Sequence, residues 1–191
     1  MAAHGTVLID NDLRNRIEQL AAVTVLAMNN LALLYSNSGK LDEAIQLLAD
    51  CSTKSKALFG PTHPVALNAL KNLAALRVTT GEIEKSVEAT SKLLKIFEAS
   101  WEKESLAKLR GGLQTPPVDV KKLKKDIDRL VNLVVAELMS LRRFLEAEKL
   151  LNSMLEINYF DSQKQKLLRQ LHVVLMGQKK FSFGTQPPLA C

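Results

Sequence analysis

Apolar residues return every three or four positions along most of this chain, and strict alternation of apolar and polar residues is scarce. That period predicts α-helices. In "NNLALLYSNSGKLDEAIQLL", residues 29–48, Leu31, Leu34 and Tyr35 share a predicted face with Ala27 and Met28. After Gly39 the period resumes, with Leu41, Ala44, Ile45 and Leu48 on one side. A glycine there can take the left-handed conformation that ends a helix. The small residues Ala32 and Ala44 allow the two helices to cross closely, with Leu31 and Leu48 expected to fill the flanks.

The stretch recurs further on. Asn30, Leu31, Ala32, Leu34 and Gly39 meet Asn72, Leu73, Ala74, Leu76 and Gly81 at a constant offset of 42 residues. A period of this size marks stacked helical hairpins. Between the copies, in "LFGPTHPVAL", Gly60 and Pro61 stop one helix. Thr62 is the expected N-cap of the next, and Pro64 is tolerated in its first turn.

A third unit follows at an irregular distance. "RRFLEAEKLLNSML" aligns with "GKLDEAIQLLADCS" and sets Ala147 against Ala44, with 19 extra residues around "WEKESLAKLRGGLQTPPVD". The front of that insertion extends the preceding helix, and Gly111-Gly112 to Pro116-Pro117 break it. Arg142 stands where a turn glycine would be, so another turn geometry is expected there. The helix opening this unit carries Leu123, Ile127, Leu130, Val134, Leu138 and Leu141 as a stripe expected to enter the core. A final helix, about Ser162 to Lys179, presents Leu167, Leu168, Leu171, Val174 and Leu175. At the other end Leu13, Ile17, Leu20 and Thr24 fall at helical spacing, with Asp10 or Asn11 as cap. They predict one long first helix, or two pieces with a bend near Val23.

Over Val23 to Leu94 the pattern resembles the tetratricopeptide repeat, and more narrowly the long repeats of the kinesin light chain family. Those repeats read much like "NNLA-LY---GK--EA" followed by "--LFG--HP-VA". The second copy departs from the pattern, with Arg77 in place of the tyrosine and Ser86 in place of the alanine. The chain is too short, and lacks the extended heptad region at its start, to be kinesin light chain itself. The expected fold is therefore all-α: a right-handed stack of antiparallel helical hairpins, a tetratricopeptide-like solenoid with a C-terminal capping helix. Residues 1–10 are expected to be a flexible start. Residues 11–110 hold two repeats with an N-terminal helical extension, and 111–118 a linker. Residues 119–180 hold the third hairpin and capping helix, and 181–191 a disordered tail.

Composition narrows the function. The 191 residues are 47% hydrophobic and 24% charged, enough for a sizeable core, and the formal charge of +6 favours acidic partners. Arginine-rich or aromatic-basic segments are missing, which disfavours nucleic acid. Cys51 and Cys191 have no metal-like spacing and read as free thiols of a reducing compartment. The three histidines, His4, His63 and His172, form no metal motif, and neither a phosphate loop nor a nucleophile elbow is present. The acidic residues, such as Glu82, Glu84 and Glu88, take solvent positions. No enzyme, cofactor or metal is expected. The start lacks a basic region and long apolar run, and apolar runs such as "AAVTVLAM" read as too short to span a bilayer. A cytoplasmic protein without a membrane partner is expected.

The resemblance implies a concave groove lined by the first helix of each repeat, in which a peptide is held partly by asparagine amides. Carried over by position, Asn29, Asn30 and Asn72 are the candidates, with Asn68 and Lys71 nearby. An amide donates to a carbonyl and accepts from an N–H, which suits a backbone grip. The carboxylate clamp of chaperone-binding relatives is mostly missing, because Asn29, Leu33 and Leu133 occupy three of its positions. Lys121, Lys122, Lys124 and Lys125 form a basic cluster at a helix start, a possible patch for an acidic partner. The expected role is an adaptor or scaffold that binds a protein or peptide. The alternatives are a permanently assembled structural subunit and an RNA-binding helical repeat, and self-association is left open.

Overall fold

The computed structural model describes residues 3–109, 119–157 and 164–184, with side-chain surroundings for 11–106, 119–157 and 164–179. Among the described residues lie seven helices and no strand: α1 (Ala3–Asn37), α2 (Leu41–Phe59), α3 (Pro64–Thr79), α4 (Ile83–Leu109), α5 (Val120–Ser140), α6 (Phe144–Glu156) and α7 (Lys164–Gly184). Neighbours in sequence pack as hairpins, α1 with α2, α3 with α4 and α5 with α6. The hairpins stack through α2 on α3 and α4 on α5, and α7 closes on α6. The first helices adjoin one another, α1 beside α3 and α3 beside α5. This is an all-α helical-repeat fold.

The close crossing foreseen at Ala32 and Ala44 is present, and both are 0% exposed. Its counterpart in the second hairpin is Ala74 with Ser86, also 0% exposed, and Ala147 repeats it in the third. The Ser86 hydroxyl donates to the Ala74 carbonyl at 2.8 Å, so the departure from alanine is accommodated by satisfying its polar group on the facing backbone. The other departure keeps a contact and changes its chemistry. Lys40 lies 5.7 Å from the Tyr35 ring centre, and one repeat later Arg77 pairs with Glu82 at 3.4 Å.

The turns follow one plan. Gly39 and Gly81 take φ of 81° and 79°. Contrary to expectation, Arg142 takes the same left-handed conformation, with φ of 57°. The Arg143 N–H donates to the Leu138 carbonyl at 2.8 Å, as the Lys40 N–H does to Tyr35 at 2.9 Å. Both turns carry the Schellman bond that satisfies a terminal carbonyl. A non-glycine residue here costs about 1–2 kcal/mol. Arg143 offsets it by gripping both sides of the turn, donating to Glu146 at 2.7 and 2.8 Å and to Glu84 of α4. Those hydrogen bonds, to Glu146 first, raise the Arg143 pKa. Its own backbone N–H and then Arg143 lower that of Glu84.

The N-cap of α3 is His63 and not Thr62: its Nδ1 accepts from the Val65 N–H at 3.3 Å. Pro64 forces the residue before it into extended backbone, which is the conformation a cap needs. The His63 ring also packs on Phe59, with centroids 4.7 Å apart.

α1 departs most from expectation. It is one helix through Val23 and begins at Ala3, inside the stretch read as a flexible start, so neither Asp10 nor Asn11 caps it. Its packed face is Val25, Met28, Asn29, Ala32 and Tyr35, whereas Ala27, Leu31 and Leu34 are exposed. Leu31 does not fill the flank of the crossing, because α2 approaches from the Ala32 side. By length and composition the helix Asn11–Asn37 is also long and apolar enough to cross a membrane, since an 18-residue window within it has a mean hydropathy of 1.5. The reading of the apolar runs as too short is corrected: the run "AAVTVLAM" was ended at Asn29 and Asn30, and a helix of this length tolerates such residues.

Buried side chains are unevenly spread. One cluster runs from α3 to α7 around Leu93, Phe97, Val134, Leu138 and Leu151. The α1–α2 end has two small ones, Ala32, Ala44, Leu48, Leu73 and Leu76, and Val25, Cys51, Val65 and Ala69. The α5 stripe is core from Leu123 to Leu138, while Leu141, past the helix end, is exposed. On α7 Leu167 and Val174 are buried and Leu168 is exposed. The Cys51 thiol donates to the Val25 carbonyl at 3.3 Å, and burial pushes its pKa up. The expected linker 111–118, residues 185–191 of the expected tail and Cys191 lie outside the described residues. Because Ala44 has no free space beside α1, Ala44→Leu is expected to destabilise the fold by about 1–3 kcal/mol, read as a lower midpoint in a circular dichroism melt.

Candidate functional site

The first helices α1, α3 and α5 bring several of the sequence candidates together. Asn72 of α3 donates its Nδ2 to Oδ1 of Asn29 on α1 at 3.0 Å, and Asn29 is buried. One residue earlier on α3, the Lys71 ammonium donates to Oδ2 of Asp126 on α5 at 2.9 Å and to Oδ1 of Asn68 at 3.4 Å. Thus Asn29 with Asn72 joins the first hairpin to the second, and Lys71 with Asp126 joins the second to the third. Asn30, which shares the repeat position of Asn72, is exposed and stands apart from this pair. The residue that meets Asn72 is its neighbour Asn29, because a residue one step along a helix points about 100° away.

Two hollows of about 230 Å³ lie along α3. One is lined by Leu33, Ser36, Asn72, Ala75, Thr79 and Leu133, among others. The other is lined by Pro64, Asn68, Asp119, Lys122, Leu123 and Asp126 among others. The first is mainly apolar with one amide and two hydroxyls. The second is polar and holds both signs of charge. Lys121, Lys122 and Lys125 of the basic cluster are exposed, and Lys124 is half-buried. Asp119 caps their helix by accepting from the Lys122 N–H at 3.0 Å, which sets an acid among the lysines.

A third hollow was not legible in the sequence. About 520 Å³ in volume, it lies where α2 and α4 diverge over α3, between Ser52, Lys56, Leu70, Lys92, Lys95 and Ile96. Lys92 is paired with Glu88 at 2.6 Å. Its residues come from three helices with no common spacing, so periodicity carries no trace of it. No group of three or more potential metal ligands occurs among the described residues.

Stacked hairpins whose first helices share amides and hollows define a helical-repeat protein. Residues 23–99 match the model of the tetratricopeptide repeat. No curated protein sequence matches the chain. Among solved structures, it is similar to the nearly identical TPR-like repeats of a kinesin light chain of Podosopora anserina. The identity there is 17%, over 90% of this chain and 88% of that one, with a TM-score of 0.37.

The half-buried amide pair has a consequence for stability. Removing either side chain strands a polar group, so Asn29→Ala and Asn72→Ala are each expected to destabilise by about 1–3 kcal/mol. The double variant is expected to cost less than the sum of the two in urea denaturation.

Proposed function

We propose that the chain is an adaptor that holds a peptide segment or helix of another protein against the face formed by α1, α3 and α5. Tetratricopeptide repeats generally mediate protein–protein interaction, and residues 23–99 are of this kind. The observation that carries the reading is the pair of hollows along α3, one apolar beside Asn72 and one charged beside Asn68 and Asp126. An apolar anchor of the ligand enters the first hollow. Its backbone reaches the Asn72 amide, whose Oδ1 is not taken up by Asn29. Its charged groups meet Lys122 and Asp126 in the second. Because Lys71 is already paired with Asp126, an acidic ligand group gains it only by displacing that carboxylate, and the net charge of +6 supplies the wider attraction.

Asn72 alone is a poor probe, since its loss also weakens the stack. Leu133 lines the apolar hollow and is partly exposed, so Leu133→Glu alters the face without breaking the core. Affinity capture from the source cell with the parent and with Leu133→Glu, followed by mass spectrometry, tests the reading. Proteins bound by the parent are expected to be lost from the variant by about tenfold or more, with an unchanged melting curve. An identical set of bound proteins on the two baits would remove this face from consideration.

A further inference from the structure

On the side of α1 turned away from α2, Leu13, Ile17, Leu20, Thr24, Ala27, Leu31 and Leu34 follow one another in steps of 4, 3, 4, 3, 4 and 3. This is a 3.5-residue repeat, the spacing of a coiled-coil seam. All seven are exposed, and the five large side chains are 42–68% exposed. The opposite side of the helix, at Val25, Asn29 and Ala32, is buried in the first hairpin. With Val23, Leu26 and Leu33 also exposed, this stretch of α1 is apolar around nearly its whole circumference. A helix of that kind is normally covered.

We propose that the seam is a self-association interface, through which two copies of the chain pair α1 against α1 in antiparallel orientation. The two-fold axis passes between Thr24 and Ala27. Thr24 of one copy then faces Ala27 of the other, Leu20 faces Leu31, and Ile17 faces Leu34. The small residues fall at the centre, where the axes come closest, and the large ones interdigitate on either side.

Area and the helix dipole favour this occupant. Covering the seam removes roughly 500–600 Å² from each copy, so about 1,000–1,200 Å² in total, at the lower end of specific interfaces. The charges along the start of the seam, Asp12, Arg14, Arg16 and Glu18, balance, so they favour neither orientation. Antiparallel pairing sets the two helix dipoles head to tail, and parallel pairing sets them side by side in the same direction. A bilayer is a poorer match, because α2 occupies one side of the helix and lipid has no use for a 3.5-residue register. Asn72 and the hollows along α3 lie off the seam, so pairing leaves the proposed peptide face open on both copies.

The test is the mass of the full chain in solution, by light scattering after size exclusion over a range of concentrations. The expected result is twice the 21.2 kDa of one chain. Leu20→Asp and Ile17→Asp each place a charge in the seam twice, and each is expected to weaken pairing by about 100-fold. Helix content is expected to stay unchanged, since both residues are exposed. Orientation is read by oxidation in a Cys191→Ser background, where the buried Cys51 does not compete. Leu20→Cys with Leu31→Cys is expected to cross-link two copies, and Leu20→Cys alone is not. A parent that stays monomeric at every concentration, or a dimer that survives both aspartate variants, overturns the proposal. So does cross-linking by Leu20→Cys alone, which indicates a parallel pair. Co-flotation of a monomeric parent with phosphatidylcholine–phosphatidylserine vesicles, abolished by the aspartates, overturns it in favour of a membrane surface.

Discussion

Each hairpin depends on how near its two helices come at a single point. Alanine at 32 and 44, alanine and serine at 74 and 86, and alanine at 147 leave no side chain between the backbones, and the Ser86 hydroxyl bonds directly to the facing carbonyl. With the helices this close, the stacking distance between hairpins is short as well. Contacts such as the one between the amides of Asn29 and Asn72 then become possible. Any larger group at these crossings separates the first helices too, and with them the face that the hollows share.

The polar contacts on that face do two jobs. Asn29 with Asn72 and Lys71 with Asp126 tie each hairpin to the next, and Asn72 and Asp126 also line the hollows along α3. A ligand that engages these groups must compete with bonds the stack already makes. This disfavours long-range charge alone as a source of affinity and favours a ligand with an apolar anchor that fills the hollow beside Leu33 and Leu133.

The repeat, the crossings and the α5 stripe were legible because each is local: a period of 3.6, a small residue at a fixed offset, a glycine after a helix. What was missed depends on neighbours in space. Arg142 takes a left-handed turn without being glycine because Arg143 is held by Glu146 and Glu84, the latter 59 residues away. His63 replaces Thr62 as the cap because Pro64 dictates the backbone before it. Of the candidate site, Asn29, Asn30 and Asn72 were found through their repeat position, and Asn68 and Lys71 as neighbours of Asn72 on its helix. The partnership of Asn72 with Asn29, and of Lys71 with Asp126, needed the packing of three helices. The seam of α1 was present as spacing, but Thr24 and Ala27 interrupt its run of large residues, and the side of α1 that α2 covers is decided by Ala32.

The uneven spread of buried side chains has a mechanical consequence. A stack in which each hairpin touches only its neighbours resists opening in proportion to what each one buries. The large cluster spans α3 to α7, and the end formed by α1 and α2 rests on two small ones that share α3. Heat or pulling therefore peels the chain from the α1 end while the remaining hairpins stay folded. Slow amide hydrogen exchange is expected to concentrate in α4, α5 and α6, and fast exchange in α1.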